Sequence, residues 1–118
     1  MSLLARLFGR DAATAPDWIE AEALAERLAS DAPPLVVDVR GAGEFSGPLG
    51  HIAGAVNLPL PQFGSRMAGL LRQDRALVLV CLTDRRSSAA AAQLRAAGAR
   101  QVAVLRGGMQ RWHALRLP

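Results

Sequence analysis

The sequence predicts an α/β domain built on one central parallel sheet with helices on both faces. Three observations carry that expectation. Helical and strand-like segments alternate along the chain. The strand-like segments are short, largely aliphatic runs, as strands covered on both faces are, and not half-buried alternations. The chain has 118 residues, 51% of them hydrophobic, which suffices for one core without disulfides or metals.

The elements follow in order. Residues 1–10 are apolar and basic, but Arg6 and Arg10 interrupt them before a signal-peptide core forms. Residues 11–16 read as a linker, so 1–16 is a head and linker and 17–118 the domain. Asp17 is the expected N-cap of a helix over 18–29, with Trp18, Leu24 and Leu28 on one face. Pro33 and Pro34 stop it, and 35–39 forms a buried strand. Gly41, Gly43, Gly47 and Gly50 make a loop, followed by a brief strand at 55–58 that Pro59 and Pro61 end. Residues 63–71 read as helix and 77–80 as strand. Helix 88–95 closes on Gly98 at its C′ position. A strand at 101–105 leads through Gly107-Gly108 into a last helix carrying Met109, Trp112 and Leu115.

Composition excludes several classes. One cysteine forms no internal disulfide, and neither His51 nor His113 has cysteine neighbours at zinc spacing. No run reaches the roughly 20 apolar residues of a membrane span, and with no export signal read in residues 1–10 a cytoplasmic location is expected. Residues 1–60 carry four arginines against eight acids, and residues 61–118 carry ten against two. That asymmetry either reflects an arginine-rich surface or sets a field that draws small anions to the second half. Dispersed arginines without stacking aromatics argue against nucleic acid.

Cys81 ends the run Ala76-Leu77-Val78-Leu79-Val80 and opens Cys81-Leu82-Thr83-Asp84-Arg85-Arg86-Ser87, just before a strong helix former. A thiol between strand and helix lies near first-turn N–H groups that have no intrahelical partner and favour an anion. Arg85 and Arg86 act in the same sense, so the nucleophilic thiolate is favoured. Ser87 and Ser88 suit the helix cap and have hydroxyls for a bound oxyanion. Ligands of parallel sheets bind beyond the carboxyl ends of strands, where Cys81 is expected at a loop mouth. The competing reading is a small buried hydrophobe. Asp38 and Arg40 are expected to pair and organise the loops. Glu44 is expected on backbone N–H groups or an arginine, and His51 in a hydrogen-bonded turn. Gly54, Gly107 and Gly108 read as positions of special backbone conformation.

Three blocks in order carry a family resemblance. They are Asp38-Val39-Arg40 with Glu44-Phe45 and the run from Gly50 to Pro59, then Cys81 to Ser87, then Leu105 to Trp112. Together they resemble the rhodanese family of sulfurtransferases. The resemblance implies a single rhodanese-like domain that moves sulfane sulfur through a Cys81 persulfide. A small anionic donor such as thiosulfate, and cyanide or a thiol as acceptor, are then the expected partners, with no metal or organic cofactor. Leu82, Thr83, Asp84, Arg85, Arg86 and Ser87 become the substrate-binding loop, and Asp38, Arg40 and Glu44 its organisers.

Two alternatives stay open. One is a persulfide carrier or interaction module that depends on a sulfur-relay protein. The other is a phosphatase of the same fold, whose longer loop places arginine six positions after the cysteine; here that position is Ser87. Active members of the family often have glycine where this chain has Asp84. Its charge disfavours a thiolate and repels an anionic donor unless Arg85 or Arg86 pairs with it, and its backbone has less left-handed freedom.

Overall fold

The computed structural model describes residues 17–118; the expected head and linker at 1–16 lie outside the described residues. Five strands form one sheet: β1 (Trp18–Ile19), β2 (Leu35–Asp38), β3 (Val56–Asn57), β4 (Leu77–Val80) and β5 (Val102–Leu105). Their order is β1-β5-β4-β2-β3 and every pairing is parallel. The helices are α1 (Ala21–Leu28), α2 (Ala42–Phe45), α3 (Leu60–Arg66), α4 (Ala68–Leu71), α5 (Arg85–Ala96) and α6 (Gly108–Ala114).

Alternation along each strand sorts the core into two layers. Val37, Leu77, Leu79, Val102 and Val104 pack with Phe63, Leu70, Ala90 and Leu94 from α3, α4 and α5. Val36, Val78, Val80 and Leu105 point the other way, onto Leu24 of α1 and Met109 and Trp112 of α6. Both strand faces are therefore apolar, which is why the strand sequences show no polar alternation. The fold expected from the sequence is the fold observed.

Some local expectations need correction. Trp18 and Ile19 form a strand, not the start of a helix, and Asp17 is not its cap: α1 begins at Ala21 with Glu20 as N-cap. Pairing with β5 decides this, because Val104 N–H donates to the Asp17 carbonyl at 2.8 Å and Arg106 N–H to that of Ile19 at 3.0 Å. The Arg106 guanidinium also lies 4.6 Å over the Trp18 ring. A tertiary ladder outweighs local helical spacing here. The helical stretch expected at 63–71 starts three residues earlier and splits at Met67, since Pro61 is tolerated in a first turn where its N–H is not needed. The glycine-rich stretch expected as loop contains α2.

The C-terminus of α5 agrees with its sequence. Gly98 lies at φ 101°, with Ala99 N–H on the Leu94 carbonyl and Gly98 N–H on that of Arg95, a Schellman closure.

Candidate active site

After β2 the chain moves outward to β3 and then crosses back to β4, so the order reverses between β2 and β4. Beyond the carboxyl ends of those strands lies the crevice where such sheets bind ligands. Cys81 stands there, directly after β4, and Val39 N–H on the Val80 carbonyl at 2.8 Å fixes the neighbouring strand end.

The sulfur of Cys81 faces the first turn of α5. Ser87 Oγ lies 3.2 Å from Sγ, and the Ser87 N–H donates to Sγ at 3.4 Å. Ser87 is fully buried, so this hydroxyl is committed to the sulfur. It is the third residue of α5, and Asp84 takes the N-cap position, not Ser87 or Ser88. Cys81 is only 1% exposed and packs with the α3–α5 layer of the core. The expected open loop mouth is thus corrected: the sulfur sits at the bottom of its loop because the segment wraps over it into α5.

Asp84 lies at φ −153°, so the left-handed freedom of glycine is not called on at this position. No ion pair joins its carboxylate to Arg85 or Arg86 among the described residues. Thr83 and Arg85 are exposed and Leu82 half-buried. Arg86 pairs with Glu44, with Nη1 on Oε1 at 2.7 Å and Nη2 on Oε2 at 3.0 Å. Glu44 Oε1 also accepts the Gly41 N–H at 3.1 Å. The hydrogen bond from Arg86, against a small cost of burial, holds the Glu44 carboxyl down at about 2, and the same bond raises Arg86. This fork joins α2, from the β2 end, to α5, from the β4 end.

Asp38 and Arg40 form the buried pair the sequence suggested, each 1% exposed. Asp38 Oδ1 accepts from the Arg40 N–H and Nε, and Oδ2 from Nη2 at 2.8 Å. Arg40 Nη2 also donates to the Gly50 carbonyl at 2.7 Å, pinning the loop after α2. Full hydrogen bonding offsets the desolvation that such a pair suffers. His51 takes the expected turn role: its Nδ1 donates to the Phe45 carbonyl at 2.9 Å and its ring stacks on Phe45 at 3.7 Å.

Two contributions escaped the sequence reading. Asn57 Nδ2 donates to the carbonyls of Asp38 and Arg40 at 3.0 and 2.9 Å, holding the end of β2; its place beside a strand end was the only signal. Gly108 does more than adopt φ 54°. The Met109 N–H donates to the Cys81 carbonyl at 2.9 Å and the Gln110 N–H to that of Leu82 at 3.0 Å. A Cβ on Gly108 would collide with the carbonyl oxygens of Cys81, Leu82 and Thr83. The closing Gly-Gly segment is therefore the floor of the cysteine loop. Among the described residues no cluster of three or more His, Cys, Asp or Glu side chains is placed to hold a metal ion, and no helix is long and apolar enough to cross a membrane.

This geometry has relatives. A family model described as a rhodanese-like domain matches residues 20–115. The chain belongs to the rhodanese-like family. It is 36% identical over 100 residues to a sulfurtransferase of Allochromatium vinosum, covering 85% of this chain and 91% of that protein. It is 40% identical over 77 residues to the uncharacterized protein YqhL of Bacillus subtilis, covering 65% of this chain but 59% of the relative, so part of that protein lies beyond the match. Its fold is similar to that of the Alr3790 protein from Anabaena, with a TM-score of 0.75 and 31% identity over 85% of this chain and 79% of that one. At the level of the family, sulfur transfer is the chemistry these likenesses support.

Proposed function

We propose that the protein transfers sulfane sulfur through a persulfide on Cys81, from a small anionic donor such as thiosulfate to a thiol or cyanide. The observation that carries this reading is the Cys81 sulfur held by the N–H and hydroxyl of Ser87 at the positive end of α5. That end favours a negative charge first on the thiolate and then on the terminal sulfur of a persulfide.

In the first half-reaction the thiolate attacks the outer sulfur of thiosulfate. A new S–S bond forms, the donor's S–S bond breaks, and sulfite leaves with the electron pair, by the displacement logic of thiol–disulfide exchange. In the second, the lone pair of cyanide or a thiolate attacks the terminal sulfur. The Cys81–sulfur bond breaks, and thiocyanate or a new persulfide departs as the Cys81 thiolate is restored. Both Nη donors of Arg86 are engaged by Glu44, whereas an arginine gripping a transferring phosphate needs them for the phosphate, which supports sulfur over phosphate.

The burial of Cys81 and the unpaired Asp84 carboxylate favour one second reading, a carrier loaded by a partner protein. Mass spectrometry separates the two. Thiosulfate should add one sulfur atom to the chain, cyanide should remove it as thiocyanate, and Cys81→Ser should take up none while melting as the native protein does. Uptake from a persulfide-bearing protein but not from thiosulfate assigns the carrier role. Uptake from neither, or sulfur transfer by Cys81→Ser, overturns the persulfide reading.

A further inference from the structure

The two helical layers differ in charge. On the α1–α6 side the charges cancel: Arg106 pairs with Glu20 at 2.7 Å, Arg111 with Glu22 at 3.8 Å, and Glu26 and Arg27 are neighbours on α1. The α3–α5 side is not balanced. Residues 60–100, which hold α3, α4 and α5, carry seven arginines against two acids, Asp74 and Asp84. Arg86 and Arg95 have carboxylate partners in Glu44 and Asp17, and Arg75 donates to the Pro33 carbonyl. Four arginines remain: Arg66 at the end of α3, Arg72 just after α4, Arg85 opening α5 and Arg100 just past its end. All four are exposed, and none joins a salt bridge among the described residues. Cys81 packs in this same layer, so these cations and the sulfur share one side of the sheet.

Their spacing decides what they can hold. The 12 residues of α5 span about 18 Å, more than two screening lengths of ~8 Å at physiological salt. A small anion at Arg85 is therefore blind to Arg100, and only an extended partner meets several of these charges. A nucleic acid would find no stacking surface, since Phe63, the one aromatic residue of 60–100, is buried. A lipid surface would find no apolar anchor, because the exposed large hydrophobics Trp18, Val56 and Leu115 all lie in other segments. A second copy of the chain is a poor match, with Glu20 and Glu22 already paired.

We propose that the α3–α5 face docks an acidic protein, and that this protein carries the thiol that accepts sulfur from Cys81. The second part rests on the persulfide reading; the docking does not. In the transfer, the partner's thiolate attacks the terminal sulfur of the Cys81 persulfide. The bond from that sulfur to Cys81 breaks, a persulfide forms on the partner, and Cys81 leaves as the thiolate.

The probe is a peptide with one cysteine among glutamates, compared with a twin that has glutamines in their place. Under reducing conditions, in a ¹H–¹⁵N spectrum of the full chain, the glutamate peptide should shift amide signals of α3, α4 and α5 and leave those of α1 and α6 in place. The twin should bind on the order of tenfold more weakly at low salt, as attraction by several charges implies. Arg66→Gln, Arg72→Gln and Arg100→Gln combined, all outside the cysteine loop, should remove that advantage without changing the melting temperature. Arg106→Gln with Arg111→Gln, a comparable loss of charge on the other face, should keep it. Once Cys81 carries sulfur, transfer to the glutamate peptide should outpace transfer to its twin by a similar factor and slow as salt rises. Shifts that map to α1 and α6, equal binding of the two peptides, or an advantage that survives the triple variant overturn the docking face. So does tighter binding of duplex DNA or of phosphatidylglycerol vesicles to the same arginines, which makes the partner a nucleic acid or a lipid surface. Docking with no gain in transfer overturns the assignment of the thiol to this partner. A chain that takes up no sulfur yet binds the peptide on α3–α5 supports the docking face and fails the persulfide reading alone.

Discussion

Helices α5 and α6 both begin at the carboxyl edge of the sheet, and both aim first-turn N–H groups at the segment opened by Cys81. They do opposite work. The Met109 and Gln110 N–H groups of α6 satisfy two peptide carbonyls at 2.9 and 3.0 Å, so the positive end of that helix is consumed in holding the loop. In α5 the Ser87 N–H meets a sulfur at the longer distance of 3.4 Å, and a hydroxyl joins it. Neither helix has a side-chain cap. The difference lies in what the chain places opposite each end: neutral backbone at one, an ionisable side chain at the other. Structural and chemical uses of the same dipole thus stand side by side, and substitutions at the two ends should separate stability from rate.

The largest effect belongs to the structural end. Gly108→Ala puts a Cβ against three carbonyl oxygens and strains a residue at φ 54°. A stability loss of roughly 2–4 kcal/mol is expected in urea unfolding, from overpacking and left-handed strain together, with loss of sulfur uptake as the loop floor shifts. Gly107→Ala is the comparison. At φ 80° its Cβ would come 2.8 Å from the Arg111 Cβ within α6 itself but meets no carbonyl of the cysteine loop, so a loss of roughly 1–3 kcal/mol with sulfur uptake kept is expected. Loss of sulfur uptake in both variants alike would show that the packing of Gly108 on the loop is not what the loop needs.

At the chemical end, Ser87→Ala keeps the backbone donor and removes the hydroxyl. Turnover should fall on the order of tenfold, the weight of one hydrogen bond to a charged group. Unfolding should change little, because among the described residues Oγ has no partner but the sulfur. A kcat/KM measurement beside a melting curve checks this. A large drop in melting temperature with unchanged turnover would reverse the roles assigned to α5 and α6.

The Glu44–Arg86 fork ties α5 to α2 from outside the loop, and its effect is smaller. Both side chains are more than a third exposed, so solvent screening holds the pair to about 1 kcal/mol or less. The Glu44 carboxyl is lowered from 4.5 to about 2, so between those values the unfolded chain binds the proton more readily than the folded one. The contribution is therefore full above pH 4.5 and disappears as the pH falls toward 2. The stability gap between the native protein and Glu44→Gln should close over that window. A gap that stays constant with pH would show that the carboxylate charge contributes nothing.

Much of this arrangement was legible in the sequence for physical reasons. The strands were visible because burial on both faces leaves continuous aliphatic runs such as Leu77 to Val80. Cys81, Asp38 and Arg40 were visible because they stand at or just past strand ends, and Glu44 because it follows in the same segment. What stayed hidden depends on distant partners. Trp18 and Ile19 become a strand only because Val104 and Leu105 lie beside them. The function of Gly108 exists only in the approach of α6 to a loop more than twenty residues earlier. The depth of Cys81 likewise follows from how the loop closes over it, a tertiary outcome that no local pattern records. That the arginine paired with Glu44 is Arg86 shows only once α2 stands beside α5.

The far ends of the same two helices extend the comparison and give the smallest effect. Helix α5 ends on Gly98 in the left-handed region. Helix α6 ends the same way, with Leu117 N–H on the Trp112 carbonyl and Arg116 N–H on that of His113, but places Arg116 there at φ 56°. It is the one non-glycine residue at positive φ among those described. An arginine in that conformation costs about 1 kcal/mol that glycine avoids, partly offset by the greater freedom of glycine in the unfolded chain. Arg116→Gly should therefore stabilise the protein by roughly 0.5 kcal/mol, and Gly98→Ala should destabilise it by a similar or larger amount. Urea unfolding resolves both signs. A loss of stability in Arg116→Gly would mean that the arginine side chain makes a contribution larger than its backbone strain, and that the two helix ends are not equivalent after all.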